Sequence, residues 1–266
     1  MPKVILLFLL LNLFFSSISH AEDGFKWPNK AKAAIALTYD DALDSQLNTS
    51  IPQLDKAGLK GTFYISPASQ NIDERMNEWK NAAANGHELG NHLLHHPCRK
   101  SKANNWVKDD YDLTKYSLER YVNEILVANA LLKAIDGKNN RSFAYTCGHT
   151  TVGEDTSVVE ALKPLFPAAR GVFSDAFNDP SNMNYYNLYA ADGTAKTAEQ
   201  LISEAEKAKA SNKFVAFLFH GVGGDHLSVD SDAHKAFVRY LSKHKEDYWV
   251  APLVEIVDYI KKSDKS

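Results

Sequence analysis

Two adjacent carboxylates, Asp40 and Asp41, and a histidine run, His92-Leu93-Leu94-His95-His96-Pro97, are the residues most able to do chemistry. On one helical turn, positions i and i+4 share a face, so the imidazoles of His92 and His96 could reach a single ion. His95, at i+3, competes for the same place. Pro97 would end such a turn at once, which predicts a short, rigid ligand loop. One carboxylate could complete a three-ligand metal set that leaves a position for water, and the other could take a proton from that water. The pair could also be a mere strand-end turn or helix cap. A glycosidase pair needs carboxyls roughly 5 to 9.5 Å apart across a sugar bond, which consecutive residues supply poorly. His220 follows the apolar run 214–219 and precedes Gly221, Gly223 and Gly224, which suggests close backbone approach to a ligand and favours a catalytic role over a core one. The other histidines, His87, His95, His226, His234 and His244, read as surface or satisfied core residues, and His20 falls in the leader described below.

These side chains need elements to hold them. An apolar run over 33–38 reads as a strand ending at Tyr39-Asp40-Asp41, and 62–65 as a second. Further strands are predicted over 87–90, 142–146, 168–173, 214–219 and 248–251. Helical segments fall between them at 45–57, 73–84, 114–135, 156–162, from a capping box at Thr197-Ala198-Glu199-Gln200 to 210, at 233–243 and at 253–261. The segments 98–112 and 175–192 read as loops, and Tyr185, Tyr186 and Tyr189 in the second could form a sugar platform. Repeated βα units imply a parallel sheet, closed or nearly so. The carboxylate pair, His92 and His220 each fall at the C-terminal end of a different strand, the edge at which such folds assemble their sites.

Residues 1–21 read as a cleaved secretory signal: Lys3, an apolar stretch over 4–15, then Ser19-His20-Ala21. The stretch falls short of the ~20 residues a membrane span requires, and no other segment resembles one. Residues 22–266 then form one catalytic domain in the periplasm or outside the cell. A formal net charge of −3 without a basic stripe argues against nucleic acid and suits a neutral or cationic substrate. Two cysteines, Cys98 and Cys147, are an even count that an exported chain can pair.

The pattern resembles the polysaccharide deacetylase family, the carbohydrate esterases with a NodB-homology domain. Thr38-Tyr39-Asp40-Asp41 is similar to the family's T-F/Y-D-D motif. Gly86-His87-Glu88-Leu89-Gly90-Asn91-His92 through His96-Pro97 is similar to its second motif, whose proline favours His96 over His95. Phe217 to His220 resembles the late strand that ends in a catalytic histidine. The resemblance implies a single-domain α/β fold, a distorted, incomplete (β/α) barrel. It also implies a divalent metal, usually zinc, on Asp41, His92 and His96, with Asp40 as general base and His220 as general acid. The third motif departs from the family's common form: Phe143-Ala144-Tyr145-Thr146-Cys147-Gly148 has alanine where an arginine normally orients the base, as in a branch with F-A-Y-x-C-G. Arg170, at the fifth strand, is the candidate substitute. The Cys147 amide would be the oxyanion donor, and two motifs bordering one site would bring Cys98 and Cys147 together as a disulfide.

The expected activity is removal of acetyl groups from a carbohydrate, foremost the N-acetyl groups of a chitin-like or peptidoglycan-like glycan, by a monomer. The alternatives are an O-acetyl esterase on xylan or a similar polysaccharide, and a non-catalytic glycan-binding protein with a relic site.

Overall fold

The computed structural model describes residues 24–172 and 177–263, so the leader at 1–21 and the end of the predicted strand 168–173 lie outside the described residues. Eight strands make one sheet: β1 (Ala33–Asp40), β2 (Thr62–Ile65), β3 (Glu88–Asn91), β4 (Phe143–Ala144), β5 (Ala169–Arg170), β6 (Ala190–Asp192), β7 (Phe214–Phe219) and β8 (Tyr248–Val250). The order is β5-β4-β3-β2-β1-β7-β6, with β8 paired to the first half of β1, and every pairing is parallel. The two ends of the sheet meet through one isolated parallel bridge, Arg170 to Leu188, rather than a ladder. The barrel is therefore distorted and incomplete.

Helices α1 (Ile51–Ala57), α2 (Gln70–Ala84), α3 (Leu118–Asp136), α4 (Val159–Leu162), α5 (Ala198–Ala210), α6 (Ser231–Lys243) and α7 (Leu253–Ser263) connect or cover the strands. Parallel strands covered on both faces read as continuous apolar runs, and every residue of β1 and β7 is buried. Their alternate side chains serve two cores. Ile35, Leu37, Tyr39, Val215, Phe217 and Phe219 meet α1, α2, α5 and α6. Ala34, Ala36, Phe214, Ala216 and Leu218 face the other way, toward α7. By the same period of two, Asp40 and His220 continue this second face at the open end.

Register finishes the alignment. Tyr39 pairs with Phe219 and Asp40 with Tyr64, while Ile65 pairs with Asn91, so the next residues at this edge are His220, Asp41 and His92.

Local departures from the sequence reading have local causes. Residues 45–57 begin as a π-helical stretch, Gln46–Ser50, before α1. Thr156–Ser157 pairs antiparallel with Thr151–Val152, so the helix expected over 156–162 shrinks to α4. The segment 175–192 is not all loop, because Ala190–Asp192 pairs with β7 as β6. Thr197 and Gln200 do form the capping box of α5.

The core contains a titratable group that sets a pH dependence. His234 on α6 is fully buried, with Nε2 2.7 Å from Tyr39 Oη and Nδ1 2.6 Å from Gln53 Oε1. Burial pushes its pKa down to about 3. The unfolded chain takes up this proton below about pH 6.5 and the folded protein does not. Stability from this group is therefore complete above that pH and declines as pH falls toward 3. Urea titrations should show a loss of about 2 kcal/mol from this residue between pH 7 and pH 5. His234→Gln should remove that part of the slope, whatever its stability at pH 7; an unchanged slope would defeat the assignment.

Candidate active site

The carboxylate pair sits where β1 turns. Asp41 takes φ 81° and Ala42 φ 55°, left-handed values that non-glycine residues rarely adopt. The turn sends the two neighbouring carboxylates to different partners. Gln46 ties the edge together, its Nε2 donating to the carbonyls of Asp40 (2.5 Å) and His220 (3.2 Å).

Asp40 is buried against Arg170. Nη2 of Arg170 straddles both carboxylate oxygens at 2.6 and 2.5 Å, and Nη1 donates to the Gly171 carbonyl at 2.7 Å. Arg170 is fully buried on β5, at the seam of the barrel. A guanidinium thus reaches the carboxylate from one strand beyond the Ala144 position.

Asp41 Oδ1 lies 3.4 Å from His92 Nε2 and 3.1 Å from His96 Nε2. The Nδ1 of His92 is 2.9 Å from the Ala144 carbonyl, which accepts only, so Nδ1 carries the proton and Nε2 turns a lone pair toward the carboxylate. Two acceptors facing each other at that range repel unless a cation sits between them. Oδ1 is in fact buried with no hydrogen-bond partner. One ligand atom from each of Asp41, His92 and His96 lies within 4.8 Å of the others, and this donor set of two imidazoles and one carboxylate suits zinc. The residues fit a divalent ion.

The histidine loop is not the helical turn that the spacing suggested. β3 ends at Asn91, and Leu93 (φ 60°) and His96 (φ 53°) bend the chain so that the rings of His92 and His96 stand 4.9 Å apart. A helical turn keeps φ negative throughout, whereas here left-handed residues bring the two rings together. His95 turns away and stacks on Tyr111 at 5.0 Å. Cys98 and Cys147 are disulfide-bonded, joining this loop to the third-motif loop, where Cys147 also has positive φ (52°). Left-handed non-glycine residues carry about 1–3 kcal/mol of strain each and persist only where their surroundings hold them.

His220 Nε2 is 4.0 Å from Asp41 Oδ2, and its buried Nδ1 has no partner. Burial lowers its pKa despite the nearby Asp40 and Asp41. Burial by itself would raise the Asp41 carboxyl, but the hydrogen bond with His226 and the neighbouring His96 outweigh it and hold the group well below the usual carboxylate range.

His226 is exposed, as the sequence implies, with its side chain 55% accessible, yet it also borders this site. Its Nε2 is 2.7 Å from Asp41 Oδ2, and that contact raises its pKa. The signal in the sequence is the glycines, whose presence after the strand suggests room for a ligand. They instead let the loop fold on itself: a Cβ on Gly221 would meet the Gly224 carbonyl at 2.0 Å, and Gly223 has φ 71°. That return carries His226 back over Asp41. The remaining histidines agree with the sequence reading. His87 is buried, accepting from the Gly61 amide and contacting Asp55, and His244 is partly exposed.

The cluster opens into a cleft of about 1000 Å³ that also receives Ser66, Tyr145, Cys147, Val172 and Leu218. Its aromatic wall is Trp106, 58% exposed and tilted over His96 at 6.3 Å between ring centres. No motif or period in the sequence marks this residue. Tyr185, Tyr186 and Tyr189 do not line the cleft. Tyr186 donates to the Phe166 carbonyl, and Lys261 covers the Tyr185 ring. Tyr185 and Tyr186 pack their segment instead, and Tyr189 is exposed outside the cleft.

An incomplete parallel barrel with a carboxylate–imidazole cluster at the C-terminal ends of its strands defines a class of α/β proteins with a candidate metal centre. The chain belongs to the polysaccharide deacetylase family, whose model matches residues 28–163. That match ends before Arg170 and His220. A peptidoglycan-N-acetylglucosamine deacetylase of Bacillus cereus is 29% identical over 124 residues, which is 46% of this chain and 39% of that relative. The chain thus aligns with well under half of that protein's length. Among solved structures, the peptidoglycan deacetylase PdaC of Bacillus subtilis is similar in fold, with a TM-score of 0.56 at 16% identity over 87% of this chain and 93% of that one. The Xyl-CE4 domain of a multidomain xylanase from the hindgut metagenome of Trinervitermes trinervoides has a TM-score of 0.55 at 18% identity over 86% and 91% of the two chains.

Proposed function

We propose that this protein is an exported, divalent-metal-dependent hydrolase that removes N-acetyl groups from a glycan containing N-acetylglucosamine. The observation that carries the reading is Asp41 Oδ1, buried and unpartnered between two imidazoles, with a second carboxylate held apart from it by Arg170. Asp41, His92 and His96 would hold the ion, most readily zinc. When bound, the ion supplies Lewis acidity that polarises the acyl oxygen and acidifies water at the site.

Asp40 then acts as the base. Arg170 orients its carboxylate by contacting both of its oxygens. The Cys147 amide, on its strained turn beside the cleft, donates to the developing oxyanion. His220 delivers a proton to the departing amine. Trp106 offers a ring face to the sugar, positioning it over the cluster. Residues 1–21 would direct the chain across the membrane for cleavage, leaving it periplasmic or extracellular and monomeric.

O-acetyl ester hydrolysis is a second reading, favoured by one observation: burial keeps His220 toward its neutral form, and an alkoxide needs less help from an acid than an amine does. Acetate release from a panel of N-acetylated and O-acetylated glycans, with and without zinc, tests both. Release only from O-acetylated substrates, retained in His220→Ala, would select the second; no release from any would defeat both.

Trp106→Ala should raise KM for a glycan about tenfold, since a stacking face contributes roughly 1 kcal/mol or more. Its kcat should change little, because the ring touches the sugar and not the reacting bond. A fall in kcat at constant KM would count against the platform.

A further inference from the structure

The two carboxylate oxygens of Asp41 face different groups. Oδ1 looks into the imidazole pair, 3.4 Å from His92 Nε2 and 3.1 Å from His96 Nε2. Oδ2 turns the other way and meets His226 Nε2 at 2.7 Å. Among the described residues no other side chain hydrogen-bonds to Oδ2, and His220 Nε2 stands 4.0 Å off. An ionised carboxylate only accepts, so Nε2 of His226 carries the proton in this contact.

The contact is moored from both sides. His226 stands between two left-handed residues, Asp225 (φ 62°) and Leu227 (φ 45°), and its carbonyl accepts from the Gly221 amide at 3.1 Å. The Gly221 carbonyl accepts in turn from the Val229 amide at 3.0 Å, which closes the loop. Asp225 Oδ2 accepts from the Ser45 amide at 2.8 Å, and Ser45 Oγ accepts from the Val222 amide at 3.1 Å. Ser45 lies just past the turn that carries Asp41, so one residue ties the His226 loop to the Asp41 segment at two points. Exposed ion pairs contribute little to stability, so stability alone does not account for this mooring.

We propose that His226 is a positioning residue for the metal centre, which holds Oδ2 so that Asp41 presents Oδ1 alone to the ion. The inference rests on the reading of Asp41, His92 and His96 as the metal ligands. The terminal torsion of an aspartate is broad and roughly two-fold, so an unheld Asp41 can turn and offer either oxygen or both. Partners that fix the orientation of a ligand typically contribute about 10- to 100-fold in metal affinity or activity. In this centre the ligand being fixed is the carboxylate and the histidine is its holder. With one oxygen committed to His226, Asp41 fills a single place on the ion and leaves open the position that a hydrolytic centre needs.

The test measures zinc affinity, by competition with a chromophoric chelator, for the unmutated full chain, His226→Ala and His226→Gln. His226→Ala should bind zinc about 10- to 100-fold more weakly. Its metal-free thermal midpoint should be unchanged, because the side chain is exposed. His226→Gln, whose amide can donate from nearly the same place as Nε2, should recover most of the affinity. Cobalt in place of zinc adds a spectral readout. Its visible bands should weaken in His226→Ala, as the freed carboxylate offers its second oxygen and raises the coordination number, and return in His226→Gln. Unaltered zinc affinity in His226→Ala would overturn the proposal. Equal losses in His226→Ala and His226→Gln would also overturn it, by marking the ring as a ligand rather than a holder of Asp41. Failure of the underlying metal reading would show separately, as an unmutated protein that binds zinc no better than Asp41→Ala.

Discussion

Asp40→Asn is expected to bind a divalent ion as the unmutated protein does and to release acetate roughly 10²–10⁴-fold more slowly, the usual worth of a positioned acid or base. Asp41→Ala and His92→Ala are expected to lose the ion itself. The contrast follows from where the two carboxylates point. Asp41 Oδ1 converges with the Nε2 atoms of His92 and His96. Asp40 stands outside that convergence, with His92 Nε2 3.9 Å away and Arg170 on both of its oxygens. Metal content by elemental analysis and single-turnover rates on one protein sample separate the two outcomes. Full turnover in Asp40→Asn would remove it from the base role, and an Asp41→Ala protein that keeps its metal would dissolve the proposed centre.

The second large effect concerns Arg170. Its side chain is wholly buried and that of Asp40 is 4% exposed, so solvent screens this pair hardly at all. Removing one partner of such a pair strands a buried charge and destabilises by about 3–5 kcal/mol. Arg170→Met is therefore expected to lower the denaturation midpoint sharply and to abolish turnover. Asp40→Asn combined with Arg170→Met should recover much of the stability, because no charge is left stranded, yet remain inactive. Arg170→Lys should fold better than Arg170→Met but lose much of the rate, since one ammonium cannot span both carboxylate oxygens and also reach the Gly171 carbonyl. A double variant no more stable than Arg170→Met would show that Arg170 supports the seam of the barrel rather than Asp40.

The seam location explains why the arginine can stand so far from the alanine of the third motif. Ala144 and Arg170 are register partners on adjacent strands, so a guanidinium on β5 has the length to reach the same carboxylate. A family member can lose the motif arginine and still present a cation to this carboxylate, because neighbouring strands deliver their ends to one edge.

Much of this was legible in the amino-acid order. Continuous apolar runs marked β1, β2 and β7, since a strand buried on both faces admits little else. The Asp40-Asp41 step and the His92–His96 spacing marked the chemistry, because few other arrangements put those groups at strand ends. Three features were decided only by the tertiary structure. The histidine loop is shaped by left-handed Leu93 and His96, residue types with no intrinsic taste for that conformation; the disulfide and the packing around it hold them there. His226 reaches Asp41 because a glycine-lined loop doubles back, and its spacing from every other site residue carries no period that a sequence could display. Trp106 comes to the cleft from an irregular segment between the histidine-loop cysteine and a long helix. The division has a physical cause. Burial imposes a repeat of two or 3.6 on each segment by itself, whereas the meeting of segments depends on strand register and loop return, which only the whole folded chain determines.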